Sequence, residues 1–267
     1  MNFHGYFGAE YFTSAESKEI ADIVLAENSL QPLLIFPQVS INDDEFNELA
    51  NLIGTQVANP LLKKDDASSV VSIKRKSSSE FGAVYGGGWH SDLSFLDEQP
   101  THTMFYGKVI PDVTHSTVFI DGKRVYDVLS EHYRRILSEL TSKHEARHGQ
   151  PPGTIAKAKT DGMLIKDNID FESLHAFHPT IDESSSGEKF VRLRPAYVRE
   201  FKELTKFESE SILNYLYDLL KYEELTSRVI WQPNTLVIFN NHRLIHRATS
   251  IGSSDPRELI RTDLMIS

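Results

Sequence analysis

His90 and Asp92 stand two residues apart in the stretch Tyr85-Gly-Gly-Gly-Trp-His-Ser-Asp-Leu-Ser-Phe95. In an extended segment this spacing puts an imidazole and a carboxylate on one face. The pair suits a divalent first-row metal. A second histidine from elsewhere would complete a two-histidine, one-carboxylate set, which leaves open positions for oxygen chemistry on ferrous iron. The motif alone says little, because the chain has 11 histidines and a surface histidine beside a solvated aspartate has the same spelling. Two further features add to it. His246 lies just beyond an expected strand and its Asn240-Asn241 turn, where it can supply the third ligand. Arg257 and Arg261, four apart in the expected last strand, face the same way. Two guanidinium groups near a metal suit a bidentate anion, such as a dicarboxylate that chelates the iron. Either arginine alone could equally pair with the chain's many acidic residues.

The elements that must position these residues are those of an ordinary globular chain. It has 267 residues, 40% apolar and 25% charged, enough for a single domain over 1–267 with a well-buried core. The formal net charge is -10 with no basic cluster, which argues against a nucleic-acid partner. There is no cysteine, so disulfides, thiolate zinc sites, iron–sulfur clusters and cysteine nucleophiles are excluded, and any metal falls to His, Asp or Glu. No apolar run reaches membrane-spanning length, and the first residues lack a basic region followed by an apolar core. The expectation is a cytoplasmic protein with no membrane partner.

Residues 14–27 carry Ile20, Ile23 and Val24 at helical spacing behind Ser14 as cap. The apolar run from Pro32 to Phe36 predicts a buried strand. Asn42 with Glu45 predicts a capping box, followed by a stripe of Phe46, Leu49, Ala50 and Ile53 and a stop at Gly54. Residues 60–80 form a polar stretch, a solvated loop or a flap over a site. Gly86-Gly87-Gly88 lacks the Lys-Ser/Thr of a phosphate loop and predicts backbone freedom or close approach to a bound group. Strands are expected at 103–110 and 116–120 around a Pro111-Asp112 turn, then one helix carrying Val125 through Leu140. Residues 147–170 look irregular and are a second candidate lid. A hairpin is expected from His178 to Tyr197 around Ser184–Gly187, a helix over 208–221, and strands at 229–232, 235–240 and 259–266. The pattern is mainly β with inserted helices, not a βαβ alternation, and favours a β-sandwich or jelly roll.

Taken together, Gly88-Trp-His-Ser-Asp-Leu-Ser-Phe95, Trp231-Gln-Pro-Asn234 and the segment from Asn240 to Arg261 resemble the Fe(II)/2-oxoglutarate-dependent oxygenases of the taurine dioxygenase and 2,4-dichlorophenoxyacetate dioxygenase type. The likeness runs from about Leu33 to the end. It implies a double-stranded β-helix (jelly-roll) core, Fe(II) held by His90, Asp92 and His246, and 2-oxoglutarate as co-substrate held by Thr117 and Arg257. It further implies O2 and a small anionic or zwitterionic substrate touched by Arg261 and Leu93, hydroxylation with release of succinate and CO2, and a homo-oligomer in many relatives. Asp92 argues against halogenation, for which that position is Ala or Gly. The chain departs from the pattern where Asn240-Asn241-His242-Arg243 replaces Asp-Asn-Arg, where Gly86 replaces an Asn, and where Thr114-His115-Ser116 precedes Thr117. His242 is therefore a rival ligand, taurine itself is not expected, and Arg192 with Arg194 could bring an extra cation to the substrate. Two other readings use the same residues: a zinc hydrolase on the His/Asp/His set, in which the arginines and Thr117 lack a role, and a non-catalytic sensor of iron or 2-oxoglutarate.

Overall fold

Alternation in the last strand decides which way its arginines point. The strand Arg257–Met265 places Leu259 on one side, in an apolar cluster with Phe105, Phe119, Val229, Val237, Phe239 and Leu244. Ile260 and Leu264 go to the other side, against Phe46, Leu49, Ala50 and Ile53. Arg257 and Arg261 share the side of Leu259 and so point into the space between two sheets. The structure is a computed structural model that describes every residue except 1–2, 6, 14–15, 29, 64–69, 76–85, 112–114, 150–152, 251–255 and 267.

Among the described residues the larger sheet has seven strands. In order they are Ala9–Glu10, Leu33–Phe36, Leu236–Asn240, His102–Val109, Arg257–Met265 and Thr55–Val57, with Val71–Arg75 also paired to Arg257–Met265. Only the Ala9–Glu10 pairing is parallel. The smaller sheet runs Phe3–Gly5, Thr226–Ile230, His115–Asp121, Leu244–Ser250, all antiparallel. One apolar cluster draws side chains from both sheets, so the two pack face to face. Helices Ser17–Glu27 and Asp43–Ile53 cover the outer face of the larger sheet. Gly122–Val128 and Lys206–Asp218 cover the outer face of the smaller one. Capping fixes where these helices begin. Asn42 with Glu45 and Thr205 with Glu208 both form full capping boxes.

Several expectations change. The expected helix from Val125 to Leu140 is two, Gly122–Val128 and Glu131–Ser138. Leu129 turns extended at the break, and the Ser130 hydroxyl accepts from the Tyr133 N–H to cap the second helix. An apolar stripe cannot register this, because its period carries across the kink. Residues 147–170 are not irregular throughout; a helix Thr154–Thr160 starts behind Gly153, whose φ of 83° needs no side chain. The expected hairpin is the short pair Ile181–Glu183 and Lys189–Val191. His178 belongs to a separate three-stranded sheet of Val198–Phe201, Thr141–Glu145 and His175–Pro179. Ser14 as a cap, Asp112 in its turn and parts of the 60–80 flap lie outside the described residues; Glu16 stands at the start of the first helix without a side-chain cap. Among the described residues, no helix is long and apolar enough to cross a membrane.

Phe119 fills the space between the sheets, with Phe239 at 5.2 Å and the His246 ring at 5.7 Å between centroids. Its replacement by Ala is expected to cost about 3–5 kcal/mol of unfolding free energy. Urea denaturation checks this; a loss under about 1 kcal/mol would mean the core does not run through Phe119.

Candidate metal centre

His246 follows the strand Leu236–Asn240 and its turn, as expected, and lies within the next strand, Leu244–Ser250, with its side chain on the inward face. His90 joins that strand through a single antiparallel bridge. The His90 N–H donates to His246 O at 3.0 Å, and the His246 N–H donates to His90 O at 2.7 Å. Their rings stand 4.3 Å apart between centroids. One turn earlier, the Ala248 N–H donates to Gly86 O at 2.8 Å. Gly86 has a φ of 74°, and a Cβ there would meet His90 Cε1 at 3.4 Å, so the glycine fits both the turn and the imidazole beside it.

Asp92 completes the trio, whose ligand atoms all lie within 4.8 Å of one another. Nε2 of His246 is 3.6 Å from Asp92 Oδ2, and Nε2 of His90 is 3.8 Å from Asp92 Oδ1. His90 Nδ1 bonds to Gly88 O at 2.7 Å, which assigns the ring proton to Nδ1 and leaves Nε2 as a donor atom for a cation. His246 is wedged among Phe105, Phe119 and Phe239.

The aspartate is held from behind on both sides of its peptide. The Asp92 N–H donates to Asn241 Oδ1 at 2.8 Å, and Asn241 Nδ2 donates back to Asp92 O at 2.7 Å. Gln99 Nε2 donates to the same carbonyl at 3.1 Å. Leu93, next in the chain, has a φ of 53°, a left-handed conformation rare for a branched residue. This turn sends the Asp92 carboxylate toward the histidines and Leu93 into an apolar cluster with Phe95 and Tyr197. Arg261 binds the carboxylate itself: Nη1 donates to Asp92 Oδ1 at 2.6 Å, while Nη2 donates to both oxygens of Asp263 at 2.7 Å. Thr103 Oγ1 donates to Asp263 Oδ1 at 2.9 Å.

Oδ2 of Asp92 is buried and has no hydrogen-bond partner. A buried carboxylate oxygen without a partner is costly, and a cation among the three side chains would satisfy it. Burial works against the Asp92 charge, but Arg261, His246 and His90 outweigh it and hold the carboxyl down to about 2. Burial, with His90 adding to it, pushes His246 down to about 3, and burial also lowers His90. An anionic carboxylate and two neutral imidazoles are the protonation states that metal binding needs. Imidazole nitrogen and carboxylate oxygen suit a divalent first-row ion, so the residues fit the iron implied by the motif.

The other candidates fall in different places. Thr117 is buried in the smaller sheet, where its hydroxyl accepts from Trp231 Nε1 at 2.9 Å. Arg257 is buried at the start of the last strand, on the same side as Arg261. Neither borders the 610 Å³ cavity that opens over His90 and Asp92, whereas Leu93 and Arg261 both do. Arg192 lies outside that lining. It is buried against Asp182 at 2.7 Å and against Gln99, and so meets Asp92 only through the Gln99 amide. Arg194 is buried too and donates to the carbonyls of Leu193, Asn241 and His242. His242 does not join the trio; its Nε2 bonds to Gln99 O at 3.0 Å. Sequence reasoning missed Asn241, Gln99 and Asp263. Asn241 was visible only as part of a turn, and nothing in its spacing announces a backbone clamp on a residue 149 positions away.

A profile described as "Taurine catabolism dioxygenase TauD, TfdA family" matches residues 4–262. Over 188 residues the chain is 30% identical to an alpha-ketoglutarate-dependent sulfonate dioxygenase of Saccharomyces cerevisiae, covering 67% of this chain and 43% of the relative. Over 167 residues it is 27% identical to an (S)-phenoxypropionate/alpha-ketoglutarate-dioxygenase of Sphingobium herbicidovorans, covering 61% and 56%. This chain therefore spans about half the length of these curated relatives. A taurine dioxygenase from Burkholderia xenovorans superimposes with a TM-score of 0.75 at 20% identity, over 98% of this chain and 88% of that one, a likeness of fold.

Two outcomes follow from this geometry. Replacing Asn241 by Ala removes the clamp on Asp92 and is expected to weaken divalent-metal binding about ten- to a hundredfold in a calorimetric titration; unchanged affinity would show that Asp92 is held without it. The second concerns acid. Burial pushes His102 to about 3 and both His178 and His242 to about 4. The unfolded chain then binds more protons below about pH 6.5, so folding stability falls as pH drops through 6.5 and stops falling from these groups near 4 and 3. At pH 5 each histidine removes about 2 kcal/mol relative to neutral pH. Urea midpoints of the metal-free protein at pH 7 and pH 5 check this, and equal midpoints would contradict it.

Proposed function

The chain belongs to the taurine catabolism dioxygenase TauD, TfdA family, and from that membership we propose that it is an Fe(II)- and 2-oxoglutarate-dependent dioxygenase that hydroxylates a small anionic or zwitterionic substrate. The observation that carries this reading is the convergence of His90, Asp92 and His246 around the buried, unbonded Oδ2 of Asp92. In this reading His90, Asp92 and His246 hold the iron. Thr117 and Arg257 hold the 2-oxoglutarate, the guanidinium by a bidentate pair to the distal carboxylate. When bound, iron and 2-oxoglutarate supply the oxidising power, with O2 consumed and succinate and CO2 released.

The chain's own residues bind, orient and exclude water. The Gly88 carbonyl keeps the His90 proton on Nδ1. Arg261 takes one oxygen of Asp92 and leaves the other for the metal. Phe105, Phe119 and Phe239 keep water from the back of His246. Leu93, Phe95 and Tyr197 give the substrate an apolar wall beside the metal. Arg192 supports the Asp92 turn through Gln99. We read the two facing sheets as the halves of a double-stranded β-helix within one domain, a reading supported by the shared apolar cluster between them. An acidic substrate is supported by the relatives, whose names specify a sulfonate and a phenoxypropionate.

The test is anaerobic. Fe(II) and then 2-oxoglutarate are added to the metal-free protein while the weak visible charge-transfer band is followed. The expected result is a band in the wild type, none in Asp92→Ala and a weakened one in Arg257→Ala. Folded wild-type protein that gives no band would overturn the reading. Hydrolysis supported by zinc and indifferent to 2-oxoglutarate would replace it with a hydrolase.

A further inference from the structure

The cavity over the iron ligands is a cationic chamber in an acidic protein. Among the described residues, Asp92 is the only carboxylate in its lining, against Arg199, Arg247 and Arg261. The chain as a whole carries -10, so an acid that enters here needs a local cation to receive it. The charged groups can be taken one at a time. Arg261 is buried and already binds two carboxylates, Asp92 through Nη1 and Asp263 through Nη2. His148 is bonded to Glu145, Nε2 to Oε2 at 3.0 Å. Arg247 lies over the Trp89 ring at 5.1 Å, on the strand position next to inward-facing His246, and also borders a second hollow that holds Arg228 and Lys221. Arg199 is exposed, has no ion-pair partner among the described residues and stands on the same segment as the apolar wall, and it also borders a neighbouring hollow lined by Glu145, Glu200 and Glu210. Its hydrogen bonds run from Nη1 to the carbonyls of Pro195 and Val198. They fix the base of the side chain's fork and leave Nη2 and Nε for an anion.

We propose that Arg199 reads the anionic group of the substrate, across an apolar body held by Phe95 and Tyr197, and that Asp263 withdraws Arg261 from that task by locking it onto Asp92. This deepens the proposed function and rests on it for the identity of the reacting site. Distance sets the shape of the substrate. The Tyr197 ring is 6.3 Å from the His90 ring. Arg199 lies two residues further on, past the turn at Tyr197, and borders the same cavity. In this proposal the acid group sits past the Tyr197 ring from the carbon to be oxidised, carried on an arylalkyl or medium-chain alkyl body, and a two-carbon sulfonate is too short to serve both ends. Carboxylate and sulfonate heads both match a guanidinium, and the experiment separates them.

The test uses calorimetry, so it reports whether or not the charge-transfer band forms. The metal-free protein, and the protein loaded with Mn(II) and 2-oxoglutarate, are titrated with 4-phenylbutanoate, hexanesulfonate, ethanesulfonate and the neutral 4-phenylbutanol. The expected result is binding of one or both long acids, with ethanesulfonate and the alcohol weaker. Arg199→Gln raises the Kd of the bound acid by about ten- to a hundredfold. Arg247→Gln leaves that Kd within about twofold, and Asp263→Asn, which loosens Arg261, shifts metal affinity more than acid affinity. The proposal is overturned if Arg199→Gln leaves the acid's Kd unchanged, if Arg247→Gln carries the loss instead, if the alcohol binds as well as the acids, or if no acid binds. A band in the wild type alongside any of those results would leave the oxygenase reading standing and remove only the anchor.

Discussion

Two main-chain hydrogen bonds between His90 and His246 organise the centre. They join residues 156 positions apart into a single bridge, with no strand formed on the His90 side. Because the bridge pairs the two residues directly, their side chains emerge together on the same face. Everything else refines this placement. The glycines before His90 let the chain approach the strand, Asn241 pins the turn after it, and Leu93 accepts a left-handed backbone so that Asp92 can point back. A site built on strand geometry inherits the rigidity of the sheet beneath it. That is why Phe119 and Phe239, which pack against the His246 ring, matter to the metal centre.

Charge is balanced around that bridge in a definite order. Asp92, Arg261 and Asp263 form a buried row with two carboxylates and one guanidinium. With both carboxylates ionised the row carries one excess negative charge, burial pushes the Asp263 carboxyl up, and in the proposed reading a divalent cation beside Asp92 offsets that charge. Behind the turn, Arg192 and Arg194 are buried with Asp182 as the carboxylate neighbour, and His178 and His242 are kept neutral there by burial. Charging these imidazoles would add cations beside guanidinium groups already out of water. The acid sensitivity of the fold and the protonation state of the metal ligands thus have the same origin, the removal of imidazole from solvent.

The parts legible in the sequence were those written in local spacing. His-x-Asp and a distal histidine were enough to pick out three side chains that the fold brings together, and the four-residue spacing of Arg257 and Arg261 was enough to put them on one face of the last strand. The capping box at Asn42 and the stripe behind it were also plain. What was not legible depends on contacts distant in sequence. Alternation puts Asp263 on the face of Arg261, but that it captures the arginine follows only from the sheet turning that face inward. Arg192 and Arg194 read as two cations on a strand face; burial between the turn after Asp92 and the Asn241 segment makes them structural. The kink at Leu129 hides because the apolar period survives it.

The most direct test of the account is where a metal goes. Crystals soaked in Mn(II) and measured at a wavelength where its anomalous signal is strong should show one peak bounded by His90 Nε2, Asp92 Oδ2 and His246 Nε2, at coordination distances of about 2.0–2.3 Å. Oδ1 of Asp92 should stay on Arg261. A peak at His242 or elsewhere, or no peak at the trio in well-ordered crystals, would contradict the claim that this bridge exists to hold a metal.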